Sequence, residues 1–62
     1  MSSRVVLNNL LEEINDLQGE FSEAVFTDKI ETADLNNDVN NIDDGFESLR
    51  CAILVAINNC VD

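Results

Sequence analysis

Apolar residues in the two halves of the chain follow mirror-image spacing. In each half they step by 3, 4, 3, 4 and 3 residues. The first set is Leu7, Leu10, Ile14, Leu17, Phe21 and Ala24, and the second is Val39, Ile42, Phe46, Leu49, Ile53 and Ala56. Such steps keep side chains on one stripe of an α-helix. Paired from the middle outward, Ala24 faces Val39 and Leu7 faces Ala56. The spacing therefore predicts an all-α antiparallel helical hairpin that folds back near residues 31–32.

Helix-capping signals set the expected bounds of the two helices. The chain has no proline and only two glycines, which favours long helices. Helices are expected over about residues 3–26 and from 29 or 34 to 61, with the turn inside 27–34. An Asp28–Glu31 capping box would start the second helix as early as Lys29. The other candidate caps are Ser2 or Ser3 for the first helix and Thr32 or Asp34 for the second.

A continuous helix is the rival architecture. Seven apolar residues sit at multiples of seven, as a long parallel coiled coil would need: Leu7, Ile14, Phe21, Leu35, Ile42, Leu49 and Ala56. Their companion positions switch from three residues after to four residues after between the halves. A straight rod would need a stutter there, with Asp28 and Glu31 in its seam. A reversal of the chain explains the switch without either cost.

A chain of 62 residues makes one domain, residues 1–62, with a small core. Chains of this size usually need a disulfide, a metal or oligomerisation. Cys51 and Cys60 would lie on opposite sides of one helix, so they cannot bridge within it. The sequence has no histidine and no cysteine pair at zinc-ligand spacing, so neither a metal nor another cofactor is expected. Oligomerisation is the remaining means of stabilisation.

The open end of the predicted hairpin has more apolar residues than two helices can cover. Residues 51–57 would form a helical segment with apolar side chains on every side, and such a segment is normally buried on more than one side. We expect self-association there, most simply as a dimeric four-helix bundle of coiled-coil type. The alternative is a chaperone-like groove for a partner's helix. The expected self-association residues are Val6, Leu10, Leu11, Leu54, Val55, Ile57 and Val61.

The formal net charge of −10 restricts the classes of partner. Direct binding to nucleic acid or to an anionic membrane is not expected, because both need a basic surface. The longest apolar run has seven residues, against about 20 for a membrane span. With no signal-peptide pattern at the N-terminus, a cytoplasmic protein is expected.

Acidic residues recur at helical spacing. Glu12, Asp16 and Glu20 step by four, although like charges at this spacing destabilise a helix. One interpretation is an anionic face that binds a basic protein as an inhibitor, escort or adaptor, with nucleic-acid mimicry as one form. The other is charge that only keeps an assembling bundle soluble. The candidate partner-binding residues are Glu12, Asp16, Glu20, Glu23, Asp38, Asp43 and Glu47.

No enzymatic activity is expected. Carboxylate pairs such as Glu12 and Asp16 would need a water-excluding pocket for acid–base work, and two helices do not build one. The chain has no histidine, and its two cysteines have no basic partner to activate them. We therefore predict no catalytic residue.

Overall fold

The computed structural model describes residues 2–61 and shows a helical hairpin. Helix α1 spans Ser3–Phe26, helix α2 spans Thr32–Asn58, and the two pack against each other. The described residues contain no strand, and the molecule measures 46 × 17 × 11 Å. At the open end, Nη2 of Arg4 donates to the Cys60 carbonyl at 3.2 Å. The prediction of an all-α hairpin is confirmed, and the single-rod alternative is wrong.

Helix α1 begins and ends where its sequence predicts. Ser2 is the N-cap, and its hydroxyl accepts a hydrogen bond from the Val5 amide at 3.4 Å. That bond satisfies one of the amides that the first helical turn leaves free. At the other end the helix stops at Phe26, and Thr27 is the C-cap.

The turn differs from the predicted capping box. Asp28 has a φ of 60°, in the left-handed region. The Asp28 amide donates a hydrogen bond to the Val25 carbonyl at 3.2 Å, and the Lys29 amide donates one to the Ala24 carbonyl at 2.9 Å. These two bonds form a Schellman motif, in which a left-handed residue closes the end of a helix. Asp28 therefore terminates α1 and does not begin α2.

Helix α2 begins within the expected range and ends earlier than expected. It begins at Thr32 with Glu31 as N-cap, which makes no side-chain capping bond. Leu35 has non-helical angles (φ −116°, ψ 17°), so the first turn is offset from the rest of the helix. The helix ends at Asn58, with Asn59 as its C-cap, and not at residue 61.

The contact between the helices uses a rotated version of the predicted stripes. Leu7, Ile14, Phe21 and Ala24 are half-buried as expected, but Leu10 and Leu17 remain 42% and 54% exposed. The seam, meaning the half-buried or buried stripe between the helices, takes the neighbouring residues instead. In α1 it comprises Leu7, Leu11, Ile14, Gln18, Phe21 and Val25, and in α2 it comprises Val39, Asp43, Phe46, Arg50, Ile53 and Ile57. Each apolar arc is wider than one neighbouring helix can cover, so part of it stays outside.

The core is thin. Val39, at 8% exposure, is the one buried hydrophobic residue within residues 2–61. Phe21 and Phe46 meet across the seam, with ring centroids 5.8 Å apart. A hairpin with so little buried apolar surface has a small hydrophobic contribution to its stability.

Candidate interaction surfaces

A polar cluster joins the two helices on one side of the seam. Nε of Arg50 donates to Oδ1 of Asn15 at 3.0 Å, and the amide of Gln18 donates to Oε1 of Glu47 at 3.4 Å. Nη1 of Arg50 also donates to the same Glu47 oxygen, forming an ion pair along α2. These bonds need Gln18 and Arg50 at the seam, which is the rotation that moves Leu17 and Leu49 outward. We call this the polar side of the hairpin.

The polar cluster affects the ionisation of Glu47. Hydrogen bonds from Arg50 and then Gln18, together with the positive charge of Arg50, hold the pKa of Glu47 below its usual value of 4.5. The carboxylate therefore stays charged in mildly acidic solution. Its side chain is 60% exposed, so the surrounding water weakens the pairing.

A stripe of large apolar side chains runs along the opposite side. Leu10, Leu17, Ile42 and Leu49 are 42%, 54%, 44% and 49% exposed. Each comes one residue before a seam residue, as do Ala24 and Ala56. In an antiparallel helix pair, residues that precede Leu11, Gln18, Asp43 or Arg50 flank the seam on one side. Residues that follow Ile14, Phe46 or Ile53 flank it on the other side, which is the polar side. We call these six residues the apolar side; the four large ones are exposed, and Ala24 and Ala56 are half-buried.

The apolar side contains residues that the prediction of an interface did not include. Leu17, Ile42 and Leu49 were expected to fill the space between the helices. The sequence carries a signal for a second surface, because Leu10, Leu17 and Ala24 repeat every seven residues, as do Ile42, Leu49 and Ala56. Two overlapping stripes per helix are typical of a helix with two helical neighbours.

The seven predicted partner-binding acids do not share one surface. Four of them are exposed along the outer side of α1 and form what we call the acidic ridge: Glu12, Asp16, Glu20 and Glu23. Within residues 2–61, no hydrogen bond or ion pair engages these four side chains. Asp38 is exposed on α2, Asp43 is half-buried at the seam, and Glu47 belongs to the polar cluster.

The predicted self-association residues also divide. Leu11 and Ile57 are half-buried in the seam. The others are exposed by 39% or more: Val6, Leu10, Leu54, Val55 and Val61. Leu54 follows the seam residue Ile53, so it lies on the polar side, whereas Leu10 lies on the apolar side. The open end is therefore apolar on more than one side.

An open depression of about 190 Å³ at the turn end is lined by Glu20, Glu23, Ala24 and Lys29. No cluster of three potential metal ligands occurs within the described chain. Cys51 and Cys60 are free thiols, and that of Cys60 donates to the Ala56 carbonyl at 3.3 Å. Neither described helix combines the length and apolar character needed to cross a membrane.

Comparison with known proteins gives no match to a family model, to a curated protein or to a solved structure.

Proposed function

We propose that this protein is a small, acidic, non-enzymatic regulator or adaptor that self-associates and binds a basic protein partner. The acidic ridge is the observation that carries the proposal. Its four carboxylates are exposed and have no described partner within the chain. Glu12, Asp16 and Glu20 follow one another at about 6 Å along the helix axis. A regular row of unpaired negative charge attracts a positively charged surface and accelerates its association.

The ridge is well placed for such a partner. It lies on the outer side of α1, and Glu20 alone of its four residues borders the apolar side, so self-association leaves Glu12, Asp16 and Glu23 accessible. Its charge is little offset, because the chain has only Arg4, Lys29 and Arg50 as basic residues, and Arg50 is already bound to Glu47. The proposed partner is a basic protein that is inhibited or escorted, and in one form of the proposal it is a nucleic-acid-binding protein in which the ridge takes the place of the phosphates.

Capture from a native extract with matched variants tests the proposal. The ridge variant combines Glu12→Gln, Asp16→Asn, Glu20→Gln and Glu23→Gln. The control variant removes four exposed acids elsewhere through Glu13→Gln, Glu31→Gln, Asp34→Asn and Asp44→Asn. We expect the wild type and the control to retain the same basic proteins at about 0.05 M salt and to release them at about 0.5 M. The ridge variant should not retain them. Equal capture by all three proteins would contradict the proposal.

The alternative function is that of a structural element that only assembles with copies of itself and does not attract a basic partner. The exposed apolar side favours it, because a contiguous surface of this kind marks an interface. Salt distinguishes the two functions. Self-association of an acidic bundle should strengthen or stay constant as salt screens its own repulsion, whereas binding to a basic partner should weaken.

A further inference from the structure

The hairpin exposes more surface than a folded monomer of its mass. Its accessible surface is 4632 Å² for 6.9 kDa. The usual scaling gives about 4,000 Å² for a folded monomer of this size. The difference of about 600 Å² approaches the roughly 800 Å² that each partner buries in a standard stable interface. Packing against one further protein of the size of this hairpin would bury an area of that order.

The apolar side has the shape of a self-complementary surface. Asn15 pairs with Arg50, and Phe21 meets Phe46, which places Leu17 level with Leu49. The neighbouring rungs then join Leu10 to Ala56 and Ala24 to Ile42. When a second copy is laid on this side by a two-fold axis parallel to the helices, Leu10 meets Ala56 of the other copy and Ile42 meets Ala24. Large residues therefore meet small ones, and Leu17 meets Leu49 at the centre.

We propose that a second copy of this chain covers the apolar side, with both turns at the same end of the resulting four-helix bundle. This inference rests on the self-association in the proposed function, and it specifies the surface and the arrangement. It moves the interface from the open end to a stripe along the whole hairpin. The polar side stays in contact with water, as does the acidic ridge apart from Glu20 at the edge of the interface.

The charges beside the apolar side select the orientation. Glu13 and Glu20 border it on α1, and Gly45 and Ala52 border it on α2. With both turns at one end, α1 of each copy packs against α2 of the other, so the two acids face small neutral residues. With the turns at opposite ends, α1 packs against α1, and Glu13 faces Glu20 of the other copy. Like charges brought together across an interface are unfavourable, so the first arrangement is preferred.

Gly45 fits this arrangement. A Cβ atom built there meets nothing within 4 Å in the single hairpin, so packing between α1 and α2 does not require glycine. In the proposed dimer, Gly45 lies beside Glu20 of the second copy. Because glycine has no side chain, the Glu20 side chain has room to extend past α2 into water.

Sedimentation equilibrium of two matched variants tests the surface. Leu49 and Leu54 are on the same helix with 49% and 48% exposure, but they lie on the apolar and polar sides respectively. Because each substitution acts twice in a symmetric dimer, Leu49→Gln should raise the dimer dissociation constant about thirtyfold or more. Leu54→Gln should change it by less than about threefold. Circular dichroism of both variants checks that each remains helical.

The outcomes separate this inference from the function on which it rests. A wild-type chain that stays monomeric at micromolar concentration would overturn both the interface and the self-association. A dimer that survives Leu49→Gln, or one that only Leu54→Gln dissociates, would overturn the apolar side as the interface but leave self-association standing. Binding of the monomer to a helix from another protein would likewise assign the surface to that partner.

A label at the turn tests the orientation without altering the interface. The variant carries Lys29→Cys, with Cys51→Ser and Cys60→Ser, and one nitroxide label per chain. With the turns together, pulsed electron paramagnetic resonance should give an inter-chain distance below about 25 Å, since packed helices lie about 10 Å apart. Turns at opposite ends would separate the labels by nearly the 46 Å length of the hairpin and would overturn the arrangement.

Discussion

The rings of Phe21 and Phe46 contact each other across the hairpin, with centroids 5.8 Å apart and planes inclined by 51°. The mirror spacing of the sequence paired Phe21 with Ile42 and Phe46 with Leu17. The helices are therefore shifted along each other by about one turn relative to that pairing. The shift brings the two aromatic side chains of the seam together.

Removing either ring should therefore affect the other. Phe21→Ala and Phe46→Ala should each destabilise the fold by about 2 kcal/mol, since both side chains are half-buried. The double variant should lose about 0.5–1.5 kcal/mol less than the sum, because tilted aromatic pairs carry an energy of their own. Urea denaturation at fixed protein concentration measures this coupling. Strict additivity would mean that the rings do not interact in solution.

Asp28→Gly should stabilise the protein. Asp28 has a φ of 60°, which glycine adopts without the steric cost that a Cβ atom imposes. We expect a gain of about 0.5–1 kcal/mol, measured by thermal melting, and a loss for Asp28→Ala, which keeps the Cβ and removes the polar side chain. If both substitutions destabilise the fold equally, the Schellman motif does not close α1.

Glu47→Gln should remove a stabilising contribution that depends on pH. Because the bonds from Arg50 and Gln18 lower the pKa of Glu47 in the folded state, its contribution is complete above 4.5, the value expected in the unfolded chain. The contribution is lost as the pH falls through the lowered pKa. The difference in melting temperature between wild type and variant should thus be constant near neutrality and shrink below about pH 4.5. A difference that grew on acidification would contradict the pairing. Glu13→Gln is the control, because Glu13 is exposed and outside the polar cluster.

Gly19→Ala should stabilise α1 by about 1 kcal/mol. Gly19 lies inside the helix, and a Cβ atom there would meet nothing within 4 Å. Alanine then adds helix propensity at no packing cost. Thermal melting at matched concentration measures the gain, and the reverse change at the half-buried Ala24, to glycine, should be destabilising. A loss of stability in Gly19→Ala would show that another surface approaches the backbone there.

The local features of the fold could be predicted from the sequence to different degrees. The Ser2 cap and the end of α1 follow from residues that act on their immediate neighbours, and these predictions are confirmed. The predicted Asp28–Glu31 capping box does not form, because the Asp28 and Lys29 amides donate hydrogen bonds to free carbonyls at the end of α1. Competition between two adjacent helix ends for the same residues is not visible in either pattern alone.

The seam could be predicted only in part, for a different reason. Leu7, Ile14 and Phe21 belong to both candidate stripes of α1, so either rotation half-buries them. Of Leu17 and Gln18, the structure half-buries Gln18, whose amide donates a hydrogen bond to Glu47 across the hairpin. The spacing of apolar residues gives no information about such a hydrogen bond. The same limit applies to the predicted acidic face, since its seven residues lie in four different locations.

The intramolecular distance between the two ends of the chain tests the hairpin most directly. Labels on Val5→Cys and Asn59→Cys, with Cys51 and Cys60 replaced by serine, would be measured in doubly labelled chains diluted with excess unlabelled protein. The contact of Arg4 with the Cys60 carbonyl predicts a separation below about 25 Å, given two helices packed side by side. A separation near 80 Å, the length of a continuous helix between these positions, would contradict the hairpin and every surface derived from it.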